Sequence, residues 1–207
     1  MEQVIRDYQE TDYDQCQLLV ENAWSFESNF RPRELADLAG VIYTKGSVLG
    51  SNYQKVVEID GKVAGFIFGR NEASFKPKRH ILFGLRVLWR LLRIKNLPKL
   101  ERKRLVNAMS IHEKNRLEVV ESGKSEIVLF VVAKEYQGLG HGKRLLSGFV
   151  DSCRSSNIRS IIVETNKLEA ASFYEGVEFK HKANFDSPLH EYASKGGQAC
   201  IYELMCN

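Results

Sequence analysis

The stretch Glu126–Gly142, EIVLFVVAKEYQGLGHG, decides how the chain folds. Glu126–Ala133 is a nearly continuous apolar run, the composition of a strand buried on both faces of a sheet. Gln137–Gly142 then carries glycine at 138, 140 and 142, and a helix is expected from Gly142 to about Ser155. Its Leu145, Leu146, Phe149, Val150 and Cys153 fall on one stripe at helical spacing. A strand feeding a glycine loop that opens a helix suits an anion. The first helical amides have no intrahelical partner, and the helix dipole favours negative charge there. Glycines lack a Cβ, so main-chain N–H groups can come close to phosphate oxygens, and Lys143 and Arg144 add positive charge. A glycine-rich turn with no ligand is the plainer alternative. Two common phosphate loops are excluded. GxxxxGK[ST] aligned on Gly142-Lys143 places Gln137 at its first glycine and Arg144 at its Ser/Thr, while GxGxxG aligned on Gly138 and Gly140 meets Lys143 at its third glycine.

Outward from this junction, Val4–Tyr8 reads as a first strand. Thr11 or Asp12 can cap a helix whose Cys16, Leu19, Val20 and Ala23 share a face. A second helix is expected from Arg33 to about Ile42, followed by a loop over Lys45–Asn52. Gln54–Ile59 and Val63–Gly69 bracket Asp60-Gly61, the dipeptide of a tight hairpin turn. Beyond the central helix, strands are expected at Ser160–Glu164, Glu178–Lys182 and Ala199–Met205, with a short helix at Leu168–Tyr174. This order predicts an α/β (α+β) architecture in one domain spanning 1–207. Helices flank a mixed, mostly antiparallel sheet with one parallel pair, Glu126–Ala133 beside Ser160–Glu164.

Composition restricts the class. A hydrophobic fraction of 43% and a charged fraction of 27% are those of an ordinary globular protein. Arg86, Arg90 and Arg93 interrupt the most apolar stretch, so no transmembrane segment is expected. Met1–Glu10 lacks the apolar core of a signal peptide, which argues for a cytoplasmic location. Cys16, Cys153, Cys200 and Cys206 form no CxxC pair, and His112-Glu113 is followed by Arg116 where a zinc helix needs histidine, so no metal is expected. The net charge of +4 conceals an asymmetry. Lys76–Glu118 holds thirteen Lys/Arg against three acidic residues, a local net of +10 that leaves −6 for the remainder.

The glycine segment fits the pattern [Q/R]xxGx[G/A] as Gln137-Gly138-Leu139-Gly140-His141-Gly142. In this it resembles the GNAT superfamily of acetyltransferases. Asn166 and Ala171–Phe179, ASFYEGVEF, resemble that family's second signature, an Asn followed by a helix ending in FYxxxGF; here Val177-Glu178 stands where many members have one Gly before the Phe. The resemblance implies acetyl-CoA as acyl donor and an amine as acceptor, small molecule or peptide, attacked directly in a ternary complex. It implies that Val132 and Ala133 meet the pantetheine arm through main-chain groups. Gln137, Gly138, Leu139, Gly140, His141, Gly142 and Lys143 would hold the pyrophosphate, with Asn166 touching the cofactor or an ordered water. His141 is expected to face solvent and to act only as loop backbone.

Aminolysis of a thioester needs a neutral amine and a proton for the departing thiolate. An alkyl amine with a pKa of about 10.4 arrives charged. By resemblance to the histone-acetyltransferase branch, Glu126 stands where a general base would, although a strand-end charge is an equal alternative. A phenol with a pKa of about 10 can protonate a thiolate whose acid has a pKa of about 8.5. Tyr174 matches the family's general acid, with simple core packing against Phe173 as the competing role.

The basic segment, an insertion over 71–122 between the third and fourth strands, is expected to be helical and divided by Pro98. Its amphipathic Ile81–Ile94 could line the acceptor site as a lid, lie on a membrane surface, hold an acidic partner or simply be solvated. Two rival functions follow: a non-catalytic acyl-CoA-binding or partner-binding module, and a nucleic-acid binder driven by the +10 segment. No specific nucleic acid is expected, and a homodimer is compatible with the sequence.

Overall fold

The computed structural model describes residues 3–77, 80–166, 170–193 and 198–206. Its strands are β1 (Gln3–Asp7), β2 (Tyr53–Ile59), β3 (Lys62–Arg70), β4 (Ser125–Val132), β5 (Ser160–Asn166), β6 (Lys180–Phe185) and β7 (Ala199–Met205). Its helices are α1 (Tyr13–Trp24), α2 (Phe26–Asn29), α3 (Arg33–Leu49), α4 (Ile81–Arg93), α5 (Lys99–Val119), α6 (His141–Ser155), α7 (Ala171–Glu175) and α8 (Pro188–Ala193). The strands form one sheet in the order β1-β2-β3-β4-β5-β7-β6, antiparallel throughout except for β4 beside β5. This is the mixed, mostly antiparallel sheet that the sequence predicts.

The hairpin turns where Asp60 and Gly61 take φ of 49° and 78°, both in the left-handed region that a two-residue turn of this hand requires. Neighbouring strand residues then alternate between two cores. Val56, Phe66, Phe68, Leu129 and Val131 face α1, α3 and the α4–α5 connection, meeting Cys16, Val20, Leu38 and Leu97. Val57, Ile67, Ile127, Ile161 and Tyr202 face α6, where Leu145, Leu146, Phe149 and Cys153 form the predicted stripe. Each fully buried Phe or Ile contributes about 1.5–3 kcal/mol. Gly69 makes the second core possible, because a Cβ there would stand 2.4 Å from the Phe149 ring.

Several boundaries differ from the sequence reading. The expected loop over Lys45–Asn52 is helical as far as Leu49. Thr44, Ser47 and Val48 are buried there, and Gly46 faces Phe83 of α4, so tertiary packing overrides the glycine and serine signal. Asp12 precedes α1 but makes no side-chain cap; its carboxylate instead takes both terminal nitrogens of Arg6, at 2.7 and 2.8 Å. The strand expected at Glu178–Lys182 starts at Lys180, after Glu178 turns the chain with φ 71°. The expected helix Leu168–Tyr174 is seen as α7 from Ala171, its start at 168–169 lying outside the described residues. Pro98 divides the basic segment as expected, ending the α4 connection and standing at the N-terminus of α5.

Candidate functional site

The site originates in an irregularity of β4. Phe68 opposes Leu129 and Gly69 opposes Ile127, which leaves Val128 as an extra residue, a β-bulge. On the other side β4 pairs with β5 only over Ser125–Ile127, against Ile161–Val163. The two central strands therefore part at the bulge. Ala133 N–H donates to Ala64 O across β3 at 2.9 Å, whereas Val132 O accepts from Gln137 Nε2 at 2.9 Å. By strand alternation the main-chain groups of Phe130 and Val132 point into the opening. Ala133, expected to contact pantetheine, has its N–H committed to β3.

Two cavities meet at this gap. A cleft of about 520 Å³ is lined by Val132, Gln137, Gly138, Gly140, Gly142 and Lys143, together with Phe130, Phe173 and Tyr174. Six of the residues expected to hold the cofactor thus share one wall. Gly138 and Gly140 have φ of 77° and 85°, and Gly140 immediately precedes α6, so the loop presents its amides by a backbone path that costs other residues about 1–2 kcal/mol. Leu139 projects outward, 63% exposed. His141 departs from expectation. It is buried rather than facing solvent, with Nδ1 2.8 Å from Gln3 Nε2 and its ring against Tyr136. It ties the first turn of α6 to β1.

The second cavity, about 410 Å³, lies between α3 and the splayed strands and is walled by Trp24, Tyr43, Leu189, Glu126, Glu164 and Asn166 among others. Asn166 is buried at the end of β5 and belongs to this wall, not to the glycine cleft. Phe130, Ala170 and Tyr174 line both cavities. Tyr174 is therefore the junction. It is packed edge-on against Phe173 and Phe179 at 5.3 and 5.4 Å, the core packing weighed for it. Burial pushes its phenol well above the ordinary value.

Glu126 lies in the wall, but its oxygens are taken. Arg70 Nη2 donates to Oε2 at 2.6 Å, and Arg116 Nη2 donates a very short hydrogen bond to Oε1. Arg116 also donates from Nε to Glu164 Oε2 at 2.9 Å. The other Glu164 oxygen faces two imidazoles, with His190 Nε2 at 3.3 Å and His112 Nε2 at 3.7 Å. Burial alone would raise the pKa of Glu164, but the His190 hydrogen bond and the charges of His112 and Arg116 outweigh it and hold the carboxylate below its usual range. His112 Nδ1 sits 2.8 Å from Ser187 Oγ. Sequence reasoning passed over Arg116, Glu164, His112 and His190. His112 and Arg116 stand at i, i+4 on α5, where the sequence alone reads only as a failed zinc helix, while Glu164 on β5 and His190 on α8 lie far from them in sequence.

The fold, with helices on both faces of a sheet whose central strands splay above a glycine loop, is shared with solved acetyltransferases. The sequence profile of the acetyltransferase (GNAT) domain matches residues 97–186 of this chain. Three solved structures share the fold at low identity. The protein SsHAT superposes with a TM-score of 0.69 at 14% identity, covering 100% of both chains. The PaiA N-acetyltransferase from Thermoplasma acidophilum, solved in complex with coenzyme A, gives 0.58 at 13% over 99% of each chain. YncA from Salmonella typhimurium, solved with acetyl-CoA, gives 0.55 at 16% over 100% of this chain and 95% of the other. No curated protein matches the sequence.

Proposed function

We propose that this protein transfers the acetyl group of acetyl-CoA to an amine, with the donor in the glycine cleft and the acceptor in the 410 Å³ cavity. The observation that carries this is the position of Tyr174, a shared wall of both cavities where the strands part. The cleft suits the donor: main-chain amides of Gly138–Gly142 at a helix start for diphosphate, Lys143 beside them, and Phe130 and Val132 main-chain groups for an amide-bearing arm. Bound there, acetyl-CoA supplies the activated acyl carbon.

Tyr174 is the general acid. Its phenol, raised by burial, stays protonated throughout the physiological range and donates to the departing sulfur. Glu126 is a poor base, since both of its oxygens accept from guanidinium groups. Its role is to hold Arg70 and Arg116 beside the wall. The proton-accepting role passes to His190, whose imidazole lines the acceptor cavity against the Glu164 carboxylate; Glu164 orients it and stabilises the imidazolium that forms. The carboxylates of this cavity are matched by Arg70, Arg116 and the imidazoles, and its remaining wall includes Trp24, Tyr43, Ile42 and Leu189. That favours an amine with an apolar substituent over a polycation.

The test is a panel of amines assayed for acetyl-CoA-dependent thiol release, paired with calorimetry of coenzyme A binding. Tyr174→Phe should lower kcat by about 10²–10⁴-fold with little change in coenzyme A affinity; wild-type turnover would remove the acid role. Coenzyme A binding without thiol release against any amine would leave a non-catalytic acyl-CoA module, and no binding at all would refute the site.

A further inference from the structure

Helix α4 is amphipathic in the wrong sense for a core helix. Leu91 is buried, and Phe83 and Val87 are half-buried against the domain. The opposite face carries Ile81, Leu82, Leu85, Leu88, Trp89 and Leu92, all between 50% and 73% exposed. At 3.6 residues per turn Ile81, Leu85, Leu88 and Leu92 align, with Leu82 and Trp89 beside them. Arg86, Arg90 and Arg93 run along the flank next to that stripe, and the Arg93 guanidinium lies 4.2 Å from the Trp89 ring centre. A groove of about 620 Å³ continues the surface toward α5, joining Leu88, Leu92 and Val106 to Lys99, Arg102 and Lys103.

We propose that α4 docks flat on an anionic phospholipid surface, with its leucine and tryptophan face in the acyl boundary and its arginines on the headgroups. Three observations select this occupant. The helix contains no acidic residue, and the 76–118 segment carries +10, which complements a negative surface and opposes stacking against the same face of a second copy. The helix spans about 20 Å at ~1.5 Å per residue, too short to cross a bilayer and suited to lying in its interface. No residue of α4 lines the acceptor cavity, so the stripe is not covered by closing over a substrate there. An apolar stripe flanked by arginines is the signature of an interfacial helix. The proposal does not depend on acetyl transfer.

The experiment is flotation of the full chain with phosphatidylcholine vesicles containing phosphatidylserine, and with phosphatidylcholine alone. Trp89 emission is followed in parallel. Flotation with the anionic vesicles only, accompanied by a blue shift that Trp89→Phe removes, is the expected result. Arg86→Gln/Arg90→Gln/Arg93→Gln should weaken partitioning roughly a hundredfold, about fivefold for each charge near the surface. Leu85→Ser/Leu88→Ser should abolish it while leaving thermal unfolding unchanged, since both side chains are exposed. Absence of wild-type flotation, equal binding to neutral vesicles, or undiminished binding of the leucine variant would overturn the proposal. So would a dimer that Leu85→Ser/Leu88→Ser converts to monomer in sedimentation velocity, because the stripe would then belong to a second copy.

Discussion

Replacing Arg116 by Met leaves two carboxylates of the 410 Å³ cavity wall without their shared counter-ion. The Arg116 side chain is 13% exposed, between Glu126 at 11% and Glu164 at 21%, so solvent can do little to compensate. Breaking a buried pair by removing one partner costs about 3–5 kcal/mol. Arg70 remains on Glu126 and the imidazoles remain on Glu164, which places the expected loss near the lower figure. In a domain with about 5–15 kcal/mol of total stability that is severe. At about 2–4 °C per kcal/mol for a chain of this size, Tm should fall by roughly 6–12 °C. Urea denaturation followed by circular dichroism measures the loss, and a cycle with Glu126→Gln and Glu164→Gln assigns it. Neutralising both carboxylates in the Arg116→Met background should restore most of the stability. The pH dependence has a definite sign. Glu164 is held below its ordinary pKa, so its contribution is present above about pH 4.3, the usual carboxylate value, and is lost as pH falls through the folded value. A Met variant destabilised by less than about 1 kcal/mol, in the range of an exposed pair, would refute the claim that this ion cluster holds the wall.

Three further outcomes follow from the structure. Glu178→Gly should stabilise the protein by up to about 1 kcal/mol, because Glu178 occupies a left-handed φ of 71° that glycine adopts without steric cost; a lower urea midpoint would count against it. His190→Gln should lower kcat/KM by about 10²–10⁴-fold, whereas turnover within about tenfold of wild type would return the proton-accepting role to another group. Glu126→Gln should retain turnover within about tenfold, since a hydrogen-bonding wall residue is not a general base worth about 10²–10⁴; a greater loss would restore its expected role.

The parts of this molecule legible in the sequence are those whose cause is local. Asp60-Gly61 specified the hairpin because both positions needed left-handed φ. The glycine loop was visible because Gly138 and Gly140 are required by their own backbone angles. Leu145–Cys153 declared a buried face by spacing alone. Features set by distant packing stayed hidden. Gly46 and Ser47 signalled a loop but continue α3, because α4 packs there. Glu126 was singled out as a carboxylate and does line the 410 Å³ cavity, yet its partners Arg70 and Arg116 come from the end of β3 and from α5. His112, Glu164 and His190 converge only after the whole sheet is assembled.

The short union of β4 with β5 divides the sheet mechanically. Three residue pairs join a slab of β1 to β4 to a slab of β5, β7 and β6, against seven pairs between β5 and β7. Separation of the slabs is resisted mainly by the side chains that straddle this seam. A molecule lying along the unzipped part would act as a missing rung, stiffening both halves at once and making rigidity itself a reporter of occupancy.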